Sequence, residues 1–164
     1  MTKSRPTLHL LCGKVAAGKS TLAAKLATAN KTVLISEDDW LAALFVEELQ
    51  EPKDYLRYAA KLRAALAPHI VALLKADISV VLDFQANTVE SRAWMRALLD
   101  QTDADHLLHV LMPPDEVCLA RLQERNASGL HPFTLSAEEY HQISAYFAPP
   151  TADEGFNLIV YDEA

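Results

Sequence analysis

The chain has 164 residues, 51% apolar and 23% charged, which predicts one domain, 1–164, with an ordinary buried core. Its net charge of −7 speaks against a general nucleic-acid binder, which needs a basic face. No apolar run reaches the length of a membrane span, no apolar h-region of a leader follows the basic residues of positions 1–6, and Cys12 and Cys118 lie in apolar segments. These features predict a cytoplasmic protein without a leader and with reduced thiols.

In chain order, the apolar run Thr7–Cys12 predicts a buried strand. The next eight residues, Gly13 to Ser20, read Gly-Lys-Val-Ala-Ala-Gly-Lys-Ser. They fit the phosphate-binding loop G-x-x-x-x-G-K-[ST] at every fixed position. Gly13 and Gly18 let the backbone turn sharply and approach phosphate oxygens. Loop amides and the following helix N-terminus, through Lys14, Ala16, Ala17, Gly18, Lys19, Ser20 and Thr21, would cradle the anion. Lys19 would reach the β- and γ-phosphates, and Ser20 would hold Mg²⁺. A helix follows over about 19–29, with Leu22, Ala23 and Leu26 at helical spacing.

Strand 2 is expected at 32–36, then helices over about 38–50 and 53–76. Pro52 suits an N-terminal helix position, and Pro68 predicts a kink or split. Strand 3 is expected at 78–83, a helix at 88–101, strand 4 at 106–112 and a stop at Pro113-Pro114. A helix over 115–126, a loop over 127–132 and a helix over 136–147 come next. Ser136 and Glu139 form a capping box at the start of the last helix. Strand 5 is expected at 157–161. Alternation of this kind predicts a parallel sheet with helices on both faces. Ligands then bind beyond the carboxyl ends of the strands.

Two more predicted strands end in acid at that edge. Ser36-Glu37-Asp38-Asp39-Trp40 follows strand 2, and strand 3 ends at Asp83. Any one of Glu37, Asp38 and Asp39 could be a helix N-cap residue, where carboxylates are favoured. Beside a phosphate loop, such acids also suit phosphoryl transfer. One carboxylate can take the acceptor's proton, and another can lie near Mg²⁺. Asp83 fits the metal role, directly or through water, with a strand-end turn as the alternative. Arg121 and Arg125 lie four apart on one helix face. They fit either a solvated face or a pair of cations above the transferring phosphoryl group. They precede the Gly129 loop, where a closing lid would sit.

The six histidines lack metal-ligand spacing, and His131 falls in the expected lid. Trp40, Phe45, Tyr55, Arg57, Tyr58 and Arg63 lie where an acceptor would be covered, as core or as substrate contacts. Arg92 and Arg96 follow Asp83 at helical spacing, as acceptor contacts or as surface residues.

Through Gly13–Thr21, Ser36–Trp40, Asp83, Arg121 and Arg125, essentially the whole chain resembles small P-loop kinases of the nucleoside monophosphate kinase type. Zeta toxins, chloramphenicol phosphotransferase, polynucleotide 5′-kinases and gluconate kinases share this layout. The resemblance implies a three-layer α/β P-loop NTPase fold, with a five-stranded parallel sheet, acceptor-covering helices at about 38–76 and a small helical lid at about 121–136. It implies ATP and Mg²⁺ as cofactors and a small-molecule hydroxyl compound as acceptor. Asp38 falls at the general-base position of several such enzymes, with Asp39 next to it, and the Arg121/Arg125 pair matches the lid helix. The stretch Arg125–Phe133 is loosely similar to the lid of gluconate kinases. The glycine pair of shikimate kinases is missing after strand 3, and so is a guanine-specificity motif. Two other functions stay open: an ATPase or regulatory switch without an organic acceptor, and a nucleic-acid 5′-hydroxyl kinase. The acceptor and the oligomeric state are not readable from these residues.

Overall fold

The computed structural model describes residues 4–129 and 134–161. Five strands, β1 (Thr7–Cys12), β2 (Thr32–Ser36), β3 (Ser79–Asp83), β4 (Asp105–Leu111) and β5 (Leu158–Tyr161), form one sheet in the order β2-β3-β1-β4-β5. Every pairing is parallel. Parallel strands need crossovers, and helices supply them: α1 (Lys19–Leu26), α2 (Glu37–Phe45), α3 (Pro52–Lys75), α4 (Val89–Leu99), α5 (Asp115–Ser128) and α6 (Ala137–Ser144).

The period-2 pleat divides the central strands β1, β3 and β4 between cores on the two faces of the sheet, while the edge strands β2 and β5 stay largely exposed. Leu8, Leu10, Val80, Leu82, Leu108 and Val110 face α3 and α4 and are buried with Leu62, Leu66, Ile70 and Met95. Leu11 and Val81 turn to the opposite face against Ala23 of α1. Leu111 packs with Cys118 and Leu122 of α5 and Tyr140 of α6. The result is three layers. Fully burying one Leu or Ile side chain contributes ~1.5–3 kcal/mol, so the long apolar stripe of α3 anchors the helical layer on this face of the sheet. Both cysteines are buried free thiols, and burial pushes the Cys12 thiol up to about 11. Among the described residues no helix is long and apolar enough to cross a membrane.

Several local expectations are corrected. Pro68 does not split α3, which runs unbroken over 24 residues. Pro68 is on the exposed side, while Leu62, Leu66, Ile70, Val71 and Leu74 bury the opposite face. That packing carries the helix past the one amide the proline lacks. Helices α1, α2 and α6 stop three to five residues short of their expected ends. A 3-10 turn, Ala152–Glu154, precedes β5, and no element was expected there.

Candidate active site

The β1–α1 turn is the centre of the site. Gly13 is required by space: a Cβ there would sit 2.9 Å from the Leu111 carbonyl oxygen and 3.1 Å from the Ala17 Cβ. Gly18 has φ +105°, a left-handed conformation that disfavours other residues. Asn87, just beyond β3, grips Gly13 from both sides. Its Oδ1 accepts from the Gly13 amide at 2.9 Å, and its Nδ2 donates to the Gly13 carbonyl at 2.8 Å. The sequence reading missed Asn87, because its partner is 74 positions away.

Lys19 folds back over the loop and donates to the carbonyls of Gly13 (2.5 Å) and Lys14 (2.8 Å). Burial lowers its ammonium from the ordinary 10.5 to about 8, and the charges of Asp83 and Asp38 partly offset this. The Lys14 ammonium turns away to Asp115 at 3.0 Å, so only its backbone borders the loop. Tyr140 donates to the same carboxylate at 2.8 Å, tying α6 to the start of α5. Ala16 is left-handed at φ 62°. Ala17 donates its amide to Lys14 across the turn. Thr21 is exposed on the first turn of α1.

The metal candidates meet. Ser20 Oγ donates to Asp83 Oδ2 at 2.7 Å. A hydroxyl and a carboxylate are hard oxygen donors that fit Mg²⁺, which binds through one or two protein oxygens and otherwise keeps phosphate and water ligands. Among the described residues no cluster of three or more His, Cys, Asp or Glu competes for a metal.

The acids after β2 separate by role. Ser36 caps α2 by accepting from the Asp39 amide at 3.3 Å, and Asp39 is exposed. Glu37 turns inward and is 2% exposed. Arg63 Nε donates to it at 2.9 Å, and the Tyr55 hydroxyl at 3.0 Å. Asp38 is near both Tyr55 and the loop: the Tyr55 hydroxyl is 3.4 Å from its Oδ1, and its charge acts on Lys19 of the loop. Strand register sets this placement, since Ser36 pairs with Asp83. Beside Glu37 and Arg63 opens a cleft of about 240 Å³ that Gln85, Asn87 and Ser91 also line.

From α5, Arg121 donates to the Ala17 carbonyl at 3.3 Å. Arg125 is partly buried; burial lowers its guanidinium and the charge of Asp38 raises it. Arg121 therefore reaches the loop, and Arg125 lies within electrostatic reach of Asp38. His131 and the rest of positions 130–133, in the expected lid, lie outside the described residues. Arg92 is not a surface residue. It is 1% exposed and binds Glu154 at 2.6 Å and the carbonyls of Ala86 and Ala148.

The comparison with family models decides the identity: residues 8–150 match the model described as an AAA domain. The chain belongs to the AAA domain family. No curated protein sequence matches it. Solved structures similar to this AAA domain include a protein from Chloroflexus aurantiacus, with TM-score 0.78, 21% identity and 98% and 87% of the two chains covered. Kti12 of Chaetomium thermophilum, in complex with ADP-AlF3, is similar at TM-score 0.71 and 14% identity, over 94% and 88%. The APS kinase CysC of Mycobacterium tuberculosis, in complex with AMPPNP and APS, is similar at TM-score 0.63 and 17% identity, over 99% and 92%. At these identities the likeness concerns the fold. This AAA domain has the fold of small P-loop kinases.

Proposed function

We propose that this AAA domain is an ATP-dependent phosphotransferase that moves the γ-phosphoryl group of ATP to a hydroxyl of a small molecule. One observation carries the reading. The Ser36–Asp83 register brings Asp38 beside the phosphate loop, where Lys19 feels both carboxylates. A loop that only holds nucleotide does not call for a carboxylate there, whereas transfer to an alcohol does. ATP binding draws support from the loop and from neighbours crystallised with ADP-AlF3 and AMPPNP.

In this reading the loop amides and Lys19 bind the β- and γ-phosphates. Ser20 and Asp83 hold Mg²⁺, which neutralises phosphate charge when bound. Asp38 accepts the hydroxyl proton, and exposed Asp39 stays outside the reaction. Arg121 and Arg125 stabilise the charge of the transferring group, because an acidic protein must supply cations locally. The net charge of −7 disfavours a nucleic-acid acceptor.

The test is incubation with Mg-ATP and a panel of sugars, nucleosides and antibiotic-like alcohols, read by ³¹P NMR. A phosphorylated product with equimolar ADP is expected. Hydrolysis that no panel member stimulates would instead make the protein an ATPase without an organic acceptor.

A further inference from the structure

We infer that Tyr55 is a positioning residue for proton transfer: the buried Glu37–Arg63 pair holds its hydroxyl so that its oxygen receives a hydrogen bond from Asp38 once Asp38 has taken the acceptor's proton. The inference rests on the reading of Asp38 as the base.

The argument starts at Glu37. A carboxylate this deeply buried is costly unless it is paired and hydrogen-bonded. Arg63 supplies the pair through Nε and is itself fixed: it donates to Ser91 Oγ at 3.1 Å and lies over the rings of Phe84 and Trp94 at 5.5 and 5.3 Å. Glu37 is therefore a pinned anion with one oxygen turned to Tyr55.

A phenol has one proton to donate. Tyr55 stands 3.0 Å from Glu37 and 3.4 Å from Asp38, so the shorter bond takes the proton. What remains toward Asp38 is a lone pair. That lone pair offers nothing to an ionised Asp38, but it accepts from a protonated one. The phenol itself stays neutral, because burial and then the charges of Glu37 and Asp38 push its ionisation well above the usual range. Among the described residues, Lys19 of α1 and Arg125 of α5 also feel the charge of Asp38, and Asp83 of β3 acts on Lys19. The two cations favour ionised Asp38 before the reaction. Tyr55 acts on the other side of the step.

The step balances. A lone pair of the acceptor oxygen forms the bond to the γ-phosphorus. The bond from that phosphorus to the β–γ bridging oxygen breaks, and its electron pair leaves on ADP. The acceptor's proton moves to Asp38, whose new O–H donates to Tyr55 while Tyr55 continues to donate to Glu37. Solvent later removes the proton.

The experiment compares wild type, Tyr55→Phe and Asp38→Asn, with Mg-ATP as donor and water as acceptor, following ADP release against pH. Carboxyl ¹³C NMR follows the Asp38 titration independently of turnover, with Asp38→Asn identifying the signal. Tyr55→Phe should keep Mg-ATP affinity and lose about fivefold in turnover, the factor one neutral hydrogen bond to the protonated form supplies. Its acid limb and its Asp38 signal should both move to lower pH. An unmoved limb, or one moved to higher pH, would overturn the role of Tyr55; loss of activity in Asp38→Asn would then leave the base reading intact. Wild-type turnover in Asp38→Asn would overturn that reading and the inference with it.

Discussion

Ser20 and Asp83, 63 positions apart, are joined by a 2.7 Å hydrogen bond at the carboxyl edge of the sheet. The bond links the first turn of α1 to the last residue of β3, so it assembles only when β1 and β3 pair in register. If these two oxygens hold Mg²⁺, Asp83→Asn should keep the fold but need about 10- to 100-fold more Mg²⁺ for half-maximal transfer. Ser20→Ala should shift in the same direction. Magnesium titration of activity, with circular dichroism as the folding control, checks both. An unchanged magnesium requirement in both variants would move the metal elsewhere.

Lys19 predicts a pH dependence of nucleotide binding. Its ammonium titrates at about 8 rather than 10.5, chiefly through burial. Phosphate prefers the charged form, so binding raises the value again. Affinity for Mg-ATP should be level below pH 8 and fall as pH rises above it. In that upper range binding should take up close to one proton, roughly the full linkage for a single group. Calorimetry in buffers of different ionisation enthalpy measures the uptake. Release of protons, or affinity rising with pH, would contradict this account of Lys19.

Arg92 predicts a stability effect. It is 1% exposed and ties α4 to Glu154 and to the Ala86 and Ala148 carbonyls. Glu154 keeps contact with solvent, so the main cost of losing Arg92 is the Ala86 and Ala148 carbonyls left unpaired, about 1–3 kcal/mol for each buried group. Arg92→Met should therefore lower the urea midpoint substantially. Glu154→Gln should cost less, because it keeps an acceptor for the guanidinium. Equal stability of wild type and Arg92→Met would show that the pair contributes nothing net.

The strand pattern was legible because each strand is a short apolar run bounded by turn residues or acids, and the central strands β1, β3 and β4 are buried on both faces. The phosphate loop was legible because its geometry depends on local residue types. Glu37 and Pro68 show where local reading ends. Glu37 has the sequence position of an N-cap residue, but Ser36 takes that role, and the partner that draws Glu37 inward is Arg63, 26 positions on. Pro68 carries a strong local breaking signal, and the tertiary burial of the opposite face of α3 outweighs it. Asn87 and Arg92 serve the loop and the C-terminal segment through contacts more than 50 positions distant. Such pairings carry no periodic or spacing signal.

Asp38→Asn tests the central claim most directly, because it removes the proposed base while leaving a side chain of the same shape. The account predicts unchanged Mg-ATP affinity by calorimetry and a loss of phosphoryl transfer of about 10²- to 10⁴-fold, the usual contribution of a positioned general base. Transfer at the wild-type rate in Asp38→Asn would contradict it.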